Sequence, residues 1–354
     1  MMQGRTVSGA RARLRADLTL LGIVGALLLA AITAGGMSLY KQFYSPAAFV
    51  SHYLDLLASG RVADALLLPG VAVDLAVLQE SGLQGTSSEA LLRQAALAPL
   101  SDIEVIAHSE EDGEHRVRVA YEAGGINGTS TFTVVQDGWL GVAPNWRFDR
   151  SPLAEIELNL RGSDAFTVNG FAIDRRQIIE PGEEADPLAP LHMLVLTPGL
   201  YSVSVDTAVA ATPGVSVLAD TAAARTPVAV QAQATPKFIE VAQQQVEQFL
   251  LTCAEQEVLQ PTSCPFGLEV QNRLAPGSTP DWSIVAQPEV SVVPDGAHWA
   301  IPAADAVAHI DVDIQSLYDG SVRALSEDVP FQISGTVVVL ADGSLSIRVG
   351  SPSG

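Results

Sequence analysis

Ile103-Glu104-Val105, Val117-Arg118-Val119-Ala120-Tyr121 and Phe132-Thr133-Val134 carry an apolar side chain at every second position. Alternation of this kind gives a strand one buried and one wet face. Asp112-Gly113, Asn127-Gly128 and Asp137-Gly138 separate or follow these runs, and such dipeptides favour tight hairpin turns. An antiparallel meander follows, with Trp139, Trp146 and Phe148 supplying bulk for its concave face.

Ahead of the meander the period is helical. Phe49, Tyr53, Leu56 and Leu57 recur at i, i+4, i+7 and i+8, Gly60 stops that helix, and a shorter one runs from Ala63 to Leu68. Thr86 and Glu89 have capping-box spacing before Leu91, Leu92 and Ala95, which predicts a further helix. Helices first and a meander after them make an α+β domain over 44–150.

Residues 151–235 read as short strands without a helix. Ile156/Leu158/Leu160, Phe166/Val168, Met193-Leu194-Val195-Leu196, Tyr201/Val203/Val205, Val215/Val217 and Val228/Val230 suggest a small β-sandwich. Glu180 to Pro190 is an acidic loop within it, and 207–214 and 219–227 read as loops. From Pro236 a second helix-then-sheet unit runs over 236–354. Phe238, Ala242, Val246, Phe249 and Cys253 share a helical face, and strands at Trp282/Ile284, Val290/Val292, Ile310/Val312/Ile314, Phe331/Ile333, Val337/Val339 and Leu345/Ile347/Val349 follow.

The segment 18–40 carries no charged side chain. Its 23 residues would span about 34 Å as a helix, enough for a hydrocarbon core of about 30 Å. Arg5, Arg11, Arg13 and Arg15 precede it against Asp17 alone, so the basic tail 1–17 is expected in the cytoplasm and the rest outside. The apolar run exceeds the usual core of a cleaved signal peptide, so an uncleaved anchor is expected.

Without its first 40 residues the chain keeps 15 Lys and Arg against 39 Asp and Glu, a formal charge of −24 over 314 residues. Such a surface repels phosphate backbones, which excludes nucleic acid as an expected partner. Cys253 and Cys264 are the only cysteines, and an even count at close spacing in an exported region predicts a disulfide.

The chain carries no Gly-x-Ser-x-Gly elbow, His-Glu-x-x-His pair or phosphate-binding loop. His52, Tyr53 and Asp55 lie on the first helix, where Tyr53 reads as a core residue of the apolar stripe. His309, Asp311 and Asp313 fall on one face of a strand. Imidazole and carboxylates in a row could hold a divalent cation, but same-face neighbours stand nearly 7 Å apart, and the row reads as a solvated strand face. Asn127-Gly128-Thr129 matches the glycosylation pattern and is read as a turn. No catalytic, cofactor-binding or metal-ligating residue is assigned, and no cofactor is expected.

The order of elements in 44–150 resembles the nuclear transport factor 2-like (SnoaL-like) cone fold, and 236–354 looks like a second, divergent copy. Val168-Asn169-Gly170 and Pro198-Gly199-Leu200-Tyr201-Ser202-Val203 resemble the turn-and-strand pattern of PEGA-type β-domains. The whole layout resembles the TcaA-type membrane proteins of Gram-positive bacteria, although the tail lacks the cysteines of that family's cytoplasmic zinc ribbon. The resemblance implies an α+β protein with a transmembrane helix and two cone-like domains around a β-sandwich. It implies a non-enzymatic binding or scaffold role at the bacterial cell membrane, toward a protein or cell-envelope polymer. The alternatives are a subunit of a secretion, conjugation or Mce-type transport complex, and a SnoaL-like enzyme with a pocket in a cone domain.

Overall fold

The computed structural model describes residues 20, 21, 23–26, 43–71, 83, 87–141, 143–179, 186–340 and 345–350. The tail 1–17 and most of the expected span 18–40 lie outside them, as do Thr86 and residues 180–185 of the acidic loop. Among the described residues no helix is long and apolar enough to cross a membrane. The chain is mainly β-sheet with few helices, and it divides into two compact units.

The first unit comprises Met1–Ser81, Pro99–Pro152 and Asp220–Ala223. Helix α1 (Pro46–Ala58) opens on Ser45, whose hydroxyl accepts the Ala48 N–H at 3.1 Å, with Pro46 in the first turn. It ends where Gly60 takes a left-handed φ of 74°. A short α2 (Val62–Leu66) follows, then β1 (Leu100–Glu111), β2 (Glu114–Ala123), β3 (Ile126–Leu140) and β4 (Ala143–Phe148), an antiparallel sheet in that order. The alternation on β2 buries Val117, Val119 and Tyr121 and exposes Arg116 and Arg118. Tyr53 of α1 meets Phe132 and Phe148 edge-on at 6.0 and 5.2 Å between ring centroids, contacts that add about 0.5–1.5 kcal/mol each beyond burial.

Two expected turns are displaced. The β2–β3 reversal is made by Gly124-Gly125, both at positive φ, whereas Asn127 and Gly128 lie within β3 opposite Glu122 and Tyr121. Gly128 is bare because the Tyr121 ring lies over it: a Cβ there would sit 2.6 Å from the Tyr121 hydroxyl. Asp137-Gly138 likewise falls in a register shift inside β3, and the chain reverses after Leu140. The helix expected after Glu89 is also corrected. Ser88 forms a bridge beside Met193, only Gln94–Ala96 turn as a short 3-10 helix, and Leu91 is fully buried in the second unit.

The second unit comprises Gly82–Ala98, Leu153–Ala219 and Ala224–Gly354. Its first strands are β5 (Leu153–Arg161), β6 (Ala165–Val168), β7 (Phe171–Asp174), β8 (Leu191–Leu196), β9 (Gly199–Asp206), β10 (Ala210–Ala219), β11 (Arg225–Gln231) and β12 (Gln233–Ala234). They form two sandwich-like sheets, β11-β5-β8 and β12-β10-β9-β6-β7, with β11 parallel to β5. Helix α3 (Pro236–Ala254) is capped by Thr235 and buries Phe238, Ala242, Val246, Leu250 and Cys253. Phe249 is only half-buried; Leu250 takes the place expected for it. Last come β13 (Arg273–Leu274), β14 (Asp281–Ala286), β15 (Val293–Asp295), β16 (His298–Gln315), β17 (Val322–Val339) and β18 (Leu345–Gly350). β16 pairs with β13, β14 and β15 on one edge and with β17 on the other. Side chains of the sandwich, α3 and the β16–β17 hairpin belong to one hydrophobic cluster, so the core runs without a break past the boundary expected at 235.

Cys253 and Cys264 form a disulfide, with Cα atoms 5.8 Å apart. It ties the last turn of α3 to the segment bearing Phe266, whose ring packs against Trp282 and Phe331 at 5.0 and 5.1 Å. Closing a loop of 11 residues stabilises the fold by about 2–3 kcal/mol on the chain-entropy account. Replacing both cysteines by serine should lower the unfolding free energy of this unit by that amount, read from urea titration. Reductant should shift the native chain equally and leave the double variant unmoved. A native chain indifferent to reductant would overturn the expectation.

Candidate functional site

The second unit holds a cleft of about 560 Å³ where strand ends and turns from six segments converge. Gly162 and Asp164 come from the β5–β6 link, Arg176 from the 3-10 turn after β7, and Val209 from the β9–β10 turn. Trp299 comes from the start of β16 and Leu340 from the end of β17. The volume is in the range of small-ligand sites, which run from about 300 to 1,000 Å³. Trp299 is 4% exposed and held edge-on by Phe238 of α3 at 5.3 Å. Gly162, at a φ of 83°, lets that indole approach: a Cβ there would lie 3.2 Å from Trp299 Cζ2.

The rim is charged but internally paired. Arg176 donates from Nε and Nη2 to both oxygens of Asp174, each at 2.9 Å. That pairing holds the Asp174 carboxyl below the usual carboxylate range and raises the Arg176 guanidinium. Asp174 also caps the 3-10 turn, accepting the Arg176 N–H at 2.9 Å, while Gln177 accepts the Asp174 N–H at 3.2 Å. Arg175 points inward instead and is 1% exposed. It donates to the carbonyls of Ala189, Leu160 and Asp186 at 2.8, 3.1 and 3.3 Å, and its Nε lies 3.4 Å from Asp164 Oδ1 without a hydrogen bond. Burial lowers its pKa, opposed by Asp164 and Asp186. The side chain thus braces the cleft wall and the stem of the acidic loop. Chemically, the cleft offers an aromatic and aliphatic floor under a rim whose carboxylates and guanidinium can exchange internal partners for a polar ligand.

The residues singled out in the sequence are placed as follows. Tyr53 is fully buried among aromatic rings, while His52 and Asp55 are exposed on the outer side of α1. His309 and Asp311 do share a face, 3.5 Å apart, but the dominant partner of His309 is its cross-strand neighbour Asp328, at 2.6 Å from Nδ1. That hydrogen bond raises the His309 pKa. Asp313 is not drawn in; its backbone N–H donates to Ser278. Among the described residues no three His, Cys, Asp or Glu side chains are arranged to hold a metal ion. Asn127 is exposed along β3 rather than at a hairpin tip.

Two clusters have no counterpart in the sequence reading. Glu155 is 0% exposed and meets His192 Nδ1 at 2.7 Å, Arg225 Nε at 3.0 Å and the Ser87 hydroxyl at 3.1 Å. In the first unit, His108, His115 and Trp146 gather, with ring centroids 5.4 Å apart between the imidazoles and 5.0 Å apart between His115 and Trp146. Carrying the Val117/Val119/Tyr121 alternation one step back would have put His115 on that face. No protein-family model, curated protein or solved structure matches the chain.

Proposed function

We propose that the chain is a membrane-anchored, extracytoplasmic binding or scaffold protein of the bacterial cell envelope, without enzymatic activity. The observation that carries the reading is the cleft around Trp299, a preformed concavity of ligand size at whose rim Arg176 and Asp174 pair with each other. The Cys253–Cys264 disulfide supports an oxidising compartment. The uncharged 18–40 segment behind four arginines supports anchoring with an outward-facing remainder. Helix α1 set against the four-stranded sheet, and α3 against the β16–β17 sheet, support cone-like domains over 44–150 and 236–354 around a sandwich over 151–235.

Two measurements test this reading. A reporter fused after Gly354 should be active only outside the membrane; cytoplasmic activity would end the argument. Fragments of cell-wall polymer should slow amide exchange at 162–165 and 338–340, because a ligand in the cleft covers those strand ends. Protection elsewhere only would remove the cleft from the proposal.

A further inference from the structure

The β1–β2 hairpin brings His108, Glu110 and His115 together in the first unit, His115 falling on the face of β2 that buries Val117 and Val119. Register places Glu110 opposite His115, while His108 lies two residues along β1 on the same side. His108 Nε2 and His115 Nδ1 face each other at 3.3 Å, and Glu110 Oε2 lies 3.7 Å from the same Nδ1. The His115 side chain is 14% exposed and stands edge-on to Trp146, with centroids 5.0 Å apart and planes at 88°. Trp146 is itself fixed, its indole N–H donating to the Tyr44 carbonyl at 2.9 Å. One imidazole is therefore preoriented and the other exposed on an edge strand.

Two nitrogens bound to one tetrahedral metal at about 2.0–2.1 Å stand about 3.3–3.4 Å apart, from the tetrahedral angle. The observed separation of 3.3 Å equals that bite. The local field favours a cation as well. The turn carries Glu110, Glu111, Asp112 and Glu114, and of these Glu111 and Glu114 are paired with Arg116, at 3.4 and 3.9 Å, while Glu110 turns toward His115. We propose that His108 and His115 chelate a divalent first-row transition ion such as Zn²⁺ or Cu²⁺, with Glu110 beside it and water completing the coordination. Imidazole nitrogen selects these ions over Ca²⁺ and Mg²⁺, which prefer oxygen.

The test uses the full chain in detergent and the metals themselves. Zn²⁺ titrated calorimetrically should bind at one saturable site that excess Ca²⁺ does not compete for. Cu²⁺ should quench the fluorescence of Trp146, with Zn²⁺ reversing the quench and W146F abolishing that component. His108→Ala, on the exposed edge, should weaken Zn²⁺ by at least about ten-fold, the scale on which metal sites respond to a lost supporting group. His115→Ala should do the same, and the unliganded melting curve of each variant reports whether it folds. Equal Zn²⁺ affinity in the native chain and His108→Ala, or Ca²⁺ competing as well as Zn²⁺, would assign the binding to the acidic surface and overturn the site. So would the lack of any saturable binding by the native chain.

Discussion

Arg175→Met is expected to lower the stability of the second unit by about 3 kcal/mol, whereas Arg176→Met, one residue on, should leave it unchanged. Methionine retains the bulk of the stem, so the loss isolates the guanidinium. Arg175 satisfies three carbonyls from Leu160, Asp186 and Ala189. An orphaned buried acceptor costs about 1–3 kcal/mol, and the part-buried Asp186 and Ala189 carbonyls can recover water, which sets the total near the lower end of the sum. Asp164 is 59% exposed and loses little when its partner goes. The Arg176 side chain is 65% exposed and, among the described residues, bonds only to Asp174. Urea titration of both variants measures the contrast, and proteolysis between Asp186 and Ala189 should accelerate in Arg175→Met alone. Equal transitions in the two variants would show that Arg175 is no brace.

Local signals carried the elements that depend on local chemistry. Ser45-Pro46 and Thr235-Pro236 start helices because a hydroxyl cap and a fixed φ act within one turn. Asp112-Gly113 and Asn169-Gly170 turn the chain because both residues of each pair sit at positive φ. Asn127-Gly128 misled for a non-local reason. Gly124-Gly125 meets the turn's demand three residues earlier, and Gly128 is required by the Tyr121 ring on the neighbouring strand. The same limit hid the candidate sites. Asp328 becomes the partner of His309 only through the β16–β17 register. Arg175, within the polar run Asp174-Arg175-Arg176-Gln177, gives no sign in the sequence that it alone turns inward. The cleft is assembled from six separated segments, and no spacing in the chain records their meeting.

Glu155 gives the other large effect. Alternation of Ile156, Leu158 and Leu160 assigns Glu155 to the outer face of β5, and it does lie there, yet it is 0% exposed. β11 runs parallel beside it with Arg225 in direct register, His192 reaches in from β8, and the Ser87 hydroxyl donates to it. Removing one member of a buried ion pair costs about 3–5 kcal/mol because its partner's charge stays behind. Here the partners are 37% exposed at Arg225 and 21% at His192, so partial rehydration brings the expected loss for Glu155→Ala to about 3 kcal/mol. Glu155→Gln keeps the shape and can still accept hydrogen bonds, so it should cost less than Glu155→Ala. A double-mutant cycle with Arg225→Ala separates charge pairing from packing. If the carboxylate and guanidinium hold β5 to β11, the double variant should lose clearly less than the two single losses added together. Strict additivity would mean that the parallel pairing of β5 and β11 rests on its apolar face alone, on Ile156, Leu158, Val228 and Val230.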